Sequence, residues 1–391
     1  MLLSQMLWAY GPLSSLGWGW ESISSAKGNA DGFLVMPDTL FPHPLLSASW
    51  RNSSAVRFNL RWSGFHNINR DRSGSDRTDD LGWKNLVVTL PIGHRLAMGL
   101  SLQPLTRLSY RWSVIQSRNF FNEDTTEVNV TWEGKGGLTQ TLLGIGINGN
   151  SQWSLGLAAR SITGKVERRQ RFSFPNKRDW ANALSIQSER VEGWAPMLSW
   201  TGRYGSFAIG GWISSAIKLQ VERQQTFQRE GTVISDTTIK RAYKADYPWE
   251  WALGISRSGS MHHWGLTGEV HQWERTSSLF GGEPTTSYNL SFGWLYLPVY
   301  RPLEPFYRSW ALRGSIFYNR QYLLYQGEGM GEVGGEAGIG IPVARGRIRL
   351  DWGIMGGRTT KLKSIGLTQT RWVYSLNILY QEFWFEKQVR R

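Results

Sequence analysis

Apolar side chains in this chain recur at every second position, and this rhythm constrains the fold more than any single motif. From Val56 to Ser63, Val56, Phe58, Leu60 and Trp62 alternate with Arg57, Asn59, Arg61 and Ser63. Tyr288, Leu290, Phe292, Trp294 and Tyr296 alternate with Asn289, Ser291, Gly293 and Leu295. The pattern returns at Leu96–Gln103, at Glu127–Glu133 and at Arg347–Ile354. Successive side chains of a strand point to opposite faces, so a period of two predicts strands with two unlike faces. No window of about 20 apolar residues is present, so a membrane-spanning helix is not expected. Alternation alone leaves two folds open: a sandwich with its apolar face inside, or a membrane barrel with that face outside.

Turn spacing separates the two. Tight connections rich in Gly, Asn and Pro fall at 91–95, 148–151, 202–205, 258–261 and 342–346, and a longer one with three prolines at 298–305. Gly and Asn supply the positive φ that short hairpin turns need. Between neighbouring turns lies a pair of strands joined by a long polar segment, at roughly 67–81, 117–125, 163–190, 222–247, 274–286, 320–332 and 359–367. Short turns on one side and long loops on the other are the rhythm of an outer-membrane barrel. Six turns enclose five hairpins, and a pair at each end brings the expected total to about 14 strands.

Composition agrees. The chain has 22 Trp and 44 Gly in 391 residues, yet only 40% of it is hydrophobic. Trp scattered along the chain near strand ends suits the two interfacial girdles of a barrel, where an apolar ring with one N–H donor sits at headgroup level. Cysteine is absent, which fits export and excludes thiol catalysis and disulfides. The net charge of +14 is spread without a compact basic run, and no nucleic-acid-binding motif appears. The N-terminus is apolar but lacks the basic start of a secretory signal, so such a signal is expected upstream or already trimmed.

Little in the sequence points to chemistry. The six His are His43, His66, His94, His262, His263 and His271. The adjacent pair His262–His263 would face opposite ways on a strand and shares no metal readily. No G-x-S-x-G or H-E-x-x-H motif occurs, so no enzyme, metal or cofactor is expected. The Gly-rich stretch Gly327–Gly335 carries Glu328 and Glu332, which would repel phosphate. The best functional candidates are the charged residues of the polar faces: Arg57, Arg61, Glu127, Glu133, Arg347, Arg349 and Asp351. If they line the lumen they set its field or lock a plug by ion pairing; the alternative is that they merely pair across strands and fill the interior.

The N-terminal segment carries a resemblance. Leu16-Gly17-Trp18-Gly19 leads through an Ala/Asp-rich stretch to Met36-Pro37-Asp38, which resembles the opening of the FadL family of outer-membrane channels and its Bacteroidetes-type relatives, secretion-associated barrels included. There a Gly-rich phrase leads to an Asn-Pro-Ala phrase; here the asparagine and alanine are missing. Gly136-Gly-Leu-Thr-Gln140, Ser154-Leu-Gly-Leu157, the segment 338–347 and Phe383-Trp-Phe-Glu-Lys387 add to the likeness. The resemblance implies a 14-stranded barrel with an N-terminal hatch in its lumen and passive uptake of hydrophobic molecules, often with lateral exit through the wall. Gly17, Gly19, Met36, Pro37 and Asp38 would then be the hatch motif.

The reading that results is an all-β, transmembrane antiparallel barrel of the Gram-negative outer membrane, with a hatch or plug over residues 1–44 and the barrel over 45–391. Its expected function is a channel for hydrophobic or amphipathic small molecules. The alternative is a scaffold or anchor barrel tied to protein secretion or an outer-membrane complex, with a sealed lumen and a protein partner on the long loops at 163–190 and 222–247. Expected partners are outer-membrane lipid and lipopolysaccharide and a hydrophobic small molecule, not nucleic acid.

Overall fold

A computed structural model describes residues 43, 46–51, 55–70, 75–93, 95–118, 126–149, 152–175, 182–229, 237–275, 283–299, 305–325, 327–362 and 366–383. It is a closed antiparallel barrel of 14 strands. In chain order these are β1 (Ala55–Arg70), β2 (Ser75–Pro91), β3 (Leu96–Arg118), β4 (Thr126–Asn148), β5 (Trp153–Ser173) and β6 (Ala183–Tyr204). Strand β7 runs as Phe207–Ser214 and Ile217–Arg229, and β8 as Thr237–Tyr247 and Glu250–Ser258. Then follow β9 (His262–His271), β10 (Glu283–Pro284 and Ser287–Tyr296), β11 (Ala311–Tyr325), β12 (Glu328–Val343), β13 (Ile348–Thr359) and β14 (Thr368–Phe383). Each strand pairs with its chain neighbour, and β1 closes the ring on β14 from Ala55↔Phe383 to Arg70↔Thr368.

The short connections fall where turn chemistry placed them. Gly205 supplies a positive φ of 58° between β6 and β7, and Gly346 one of 81° between β12 and β13. The outer face between the two strand ends is apolar. On β5 Trp153, Leu155 and Leu157 are exposed, on β6 Trp194, Leu198, Trp200 and Tyr204, and on β8 Trp249, Trp251, Leu253 and Ile255. Roughly 9–11 tilted residues suffice to cross a bilayer core. The opposite, buried face of the same strands is polar or small: Arg57, Asn59, Arg61 and Ser63 on β1, and Ser154 and Arg160 on β5. An apolar outside with a polar inside is a wall built for lipid.

Strands β3 to β6 reach 23, 23, 21 and 22 residues, about twice what a bilayer requires. Much of what reads as long polar loop is therefore sheet: β5 continues to Ser173 and β6 resumes at Ala183, so the 163–190 segment is mostly hairpin. The physical reason is a change of solvent. Above the belt the outer face turns charged, at Lys165, Glu167, Arg190 and Glu192, while Val166 and Val191 stay buried inside. The Gly-rich stretch is likewise strand from Glu328 onward.

Residues 1–42 of the expected hatch, with Gly17, Gly19, Met36, Pro37 and Asp38, lie outside the described residues. The chain just ahead of β1 packs within the ring. A 3-10 turn at Ser47–Arg51 lies against the buried faces of β3 to β6. Leu46 and Trp50 cluster there with Leu142, Ala158, Met197 and Trp212. Ser199 Oγ accepts from the Ala48 amide at 2.9 Å, and Ser154 Oγ donates to the Ala48 carbonyl at 3.2 Å. The Trp50 indole donates to the His43 carbonyl at 2.9 Å.

Candidate functional site

The buried face of the barrel has two unlike halves. From β3 to β8 its middle is apolar: Leu105, Leu138, Ile162, Val191, Leu219 and Val221 form one cluster, joined by Trp273 and Tyr322. Around β1 and β11 to β14 it is an ion-pair lattice. Glu336 accepts from Arg313 Nε at 3.3 Å and lies 3.8 Å from Arg61 Nη2. Asp351 lies 3.3 Å from Arg349 Nε and 3.7 Å from Arg313 Nη1, and Arg371 pairs with Glu332 at 2.8 Å. Charges removed from water persist only when paired, and each charge of this lattice has an opposite one within 4 Å.

Two further networks bracket the apolar half. Below it Arg160 pairs with Glu250, donates to Gln140 Oε1 at 2.7 Å, and stacks its guanidinium 5.1 Å from the Tyr247 ring centroid. Nearer the long-hairpin ends of the strands, the fully buried Glu189 accepts from Arg223 Nε at 2.6 Å and Gln187 Nε2 at 3.1 Å, with Arg168 Nη1 at 3.3 Å. Burial alone would lower the Arg223 pKa, but the Glu189 carboxylate outweighs it and holds that pKa above its ordinary value.

The structure sorts the sequence candidates into two sets. Arg57, Arg61, Arg349 and Asp351 are buried inside the ring, the last three within the ion-pair lattice. Glu127 is exposed, and Glu133 is half-exposed and paired to Arg111 at 3.2 Å. Both project from the outer face of β4, because above the belt the polar face is the outer one. Arg347 is exposed in the turn between β12 and β13. Arg160, Glu189, Glu250 and Arg313 went unremarked in the sequence, although Arg160 ends the run of small and polar residues Ser154, Gly156 and Ala158 on one strand face. Among the described residues no group of His, Asp or Glu is arranged to hold a metal ion.

Between β2 and β3 the described ladder is incomplete. β2 and β3 pair only from Leu86↔Leu102 to Pro91↔Ala97, although β2 reaches Ser75 and β3 reaches Arg118. Above that point β2 stays on β1 and β3 stays on β4, so a seam opens between them. Local chemistry explains it. Pro104 lacks a backbone N–H, which confines proline in a sheet to edges and bulges. Strand β3 bulges at the next residue, between Pro104 and Thr106. The bulge is matched on β4 by Gly136 and Gly137, whose φ values of 104° and 154° favour glycine. Strand β2 carries its own irregularity against β1, between Arg61 and Trp62. Leu105 brings the apolar half of the lumen to the seam, and Leu81 stands 72% exposed on its other side. Outside, an apolar groove of about 720 Å³ begins at Leu81 and crosses Trp62, Tyr374 and Trp352 to Ile339.

The BamG family model matches residues 45–389. The chain belongs to the BamG family. No curated protein sequence matches it. Among solved structures this BamG-family barrel is similar to a Pseudomonas aeruginosa FadL homologue, with a TM-score of 0.62 and 11% identity over 93% of this chain and 98% of that one. It is also similar to the Pseudomonas putida toluene transporter TodX, with a TM-score of 0.58 and 11% identity over 95% and 100% of the two chains. The Ralstonia pickettii toluene transporter TbuX follows, with a TM-score of 0.53 and 10% identity over 94% and 98%. At such identities the likeness is one of fold: this BamG-family chain has FadL-type barrel architecture over nearly its whole length.

Proposed function

We propose that the protein is an outer-membrane channel of a Gram-negative bacterium, passing hydrophobic or amphipathic small molecules that leave sideways through the seam between β2 and β3. The seam is the observation that carries this reading. The apolar half of the lumen meets the wall at Leu105, next to the place where the ladder ends. The route from lumen to seam to the outer groove passes the apolar side chains Leu105, Leu81 and Trp62, and the charged group standing on it is Arg107, at the seam itself. The fold relatives named as toluene transporters add support by analogy. Passage is passive in this reading, as the resemblance to FadL-family channels implies.

The test is uptake by proteoliposomes carrying the folded barrel, with toluene and a labelled fatty acid as probes and a labelled sugar as control. Uptake of the hydrophobic probes but not the sugar is expected. Uptake of none by a correctly folded barrel sinks the channel reading.

A second reading is favoured by a different observation. Glu189, Ile217 and Leu219 are wholly buried and the lattice carboxylates nearly so, which supports a closely packed, ion-paired lumen side of the wall. The strands also raise stiff, mostly basic hairpins well above the belt, with Lys165, Arg190, Lys218, Lys240 and Lys244 exposed. A sealed barrel presenting a rigid surface suits a scaffold in an outer-membrane complex, with an acidic protein partner on the 163–190 and 222–247 hairpins. Mild-detergent purification of the native barrel, followed by cross-linking, distinguishes the readings. A stoichiometric partner lost on charge reversal of Lys165 and Arg190 supports the scaffold.

A further inference from the structure

The Arg107 side chain spans the seam. Arg107, on β3 just past the bulge, donates from Nη2 to the backbone carbonyl of Leu81 on β2 at 2.9 Å. The register that pairs Leu86 with Leu102, continued upward, puts Leu81 opposite Arg107. A guanidinium thus stands where a ladder hydrogen bond would otherwise lie. Room for it comes from Gly82: a Cβ there would sit 2.1 Å from Arg107 Nη1 and 3.0 Å from its Cζ. Gly82 has no positive φ, so its want of a side chain serves the guanidinium and not the backbone.

We propose that Arg107 is a strap across the seam, seated on Gly82, whose release parts β2 from β3 and sets the rate of lateral passage. The proposal rests on the reading of the seam as an exit, but the strap itself is tested without transport. A backbone carbonyl at a strand edge needs a donor, most of all beside lipid where water is scarce. A charged donor on a flexible stem can satisfy it and still let go, which a continuous backbone ladder cannot do without unzipping from its end. The strap also accounts for the charge at this position. An arginine at the upper margin of an apolar wall, beside the exposed Leu81 and Trp83, is costly unless its head has a polar partner.

The experiment uses the full-length barrel in lipid. The chain contains no cysteine, so spin labels can be placed at Asp79→Cys and Ser109→Cys without background. The same register puts these positions opposite each other above the strap. Distances between labels, and amide hydrogen exchange over residues 78–83 and 104–109, are measured for the parent, Arg107→Ala, Gly82→Ala and Arg107→Lys. Arg107→Ala should broaden and lengthen the distance distribution and speed exchange about tenfold, as expected for loss of a charged hydrogen bond. Gly82→Ala should do the same while leaving the arginine in place, because the new methyl evicts it. Arg107→Lys should restore part of the parent behaviour. Arg111→Ala, which breaks a pair further up β3, should leave the seam as in the parent. Parent-like distances and exchange in both Arg107→Ala and Gly82→Ala overturn the strap. If the seam loosens in both variants while hydrophobic uptake stays unchanged, the strap stands and the exit route falls.

Discussion

Arg160 and Glu250 meet as a buried ion pair although two whole strands, β6 and β7, lie between their own. The pair is extended on both sides: His271 Nδ1 lies 2.7 Å from Glu250 Oε1, and Arg160 Nη1 reaches Ser214 Oγ at 3.2 Å. A link of this kind ties the wall to itself across the curve of the barrel, where ladder hydrogen bonds reach only to the next strand.

Removing one partner leaves the other charge buried without its main counter-ion. Arg160→Met or Glu250→Leu alone should each destabilise the barrel by about 3–5 kcal/mol, and the double variant by distinctly less, since it leaves no bare charge. Heat-modifiable mobility on gels, titrated with denaturant, measures this. Equal losses in single and double variants would show that packing, not charge, is what the pair provides.

Trp50 holds the chain inside the ring ahead of β1. It is 1% exposed, and a Cβ on Gly99 would come within 2.6 Å of its ring. Trp50→Ala should cost about 3–5 kcal/mol of stability, as for other buried aromatics. Because the residue packs in the lumen, the variant should also raise single-channel conductance in planar bilayers, while an outward substitution such as Trp251→Ala should not. A variant that unfolds without any rise in conductance would mean that Trp50 serves the wall and not a plug.

The barrel was legible because its signals are local. Period-two alternation and turn residues depend on a few neighbours in sequence, and Val56–Ser63 or Pro91–Arg95 carry them whatever the rest of the chain does. The strand total followed from counting turns. Two things were not legible. Alternation says which side chains share a face but not which face turns inward, so Arg61 and Asp351 fell inside while Glu127 and Glu133, on strand segments above the belt, fell outside. Contacts set by closure were also hidden: Arg160 and Glu250 stand 90 positions apart and meet only once the ring curves. Pro104 was the missed signal. A proline within an otherwise alternating strand marks an edge, and here it marks the seam.

The outer belt makes a depth-dependent prediction. Leu253 is exposed midway along the lower part of β8, whereas Lys244, six residues before Glu250 on the raised part, already stands among polar neighbours. Leu253→Arg should destabilise insertion into lipid by about 2–4 kcal/mol, the range for arginine near the bilayer midplane, whereas Ala242→Arg on the raised part should be nearly neutral. Folding yields into vesicles across a urea series provide the measurement. Equal effects at both sites would place the bilayer elsewhere on the barrel.

Gly137 offers a way to move the seam without touching either of its edges. It lies on β4 opposite Arg107, with φ of 154°, and a Cβ there would sit 2.1 Å from the Thr106 carbonyl oxygen. That atom is backbone, so it cannot swing aside as a side chain would. Alanine at this site must push the bulged part of β3 off β4, and the direction open to it is toward β2. Gly137→Ala should therefore lower stability by about 1–3 kcal/mol, the usual range for strain at a special backbone position, and at the same time narrow the seam. Labels at Asp79→Cys and Ser109→Cys would then report a shorter distance, opposite in sign to the effect of losing Arg107. A longer distance would mean that the Gly136–Gly137 pair holds the seam closed, and that the bend in β3 has its origin in Pro104 alone.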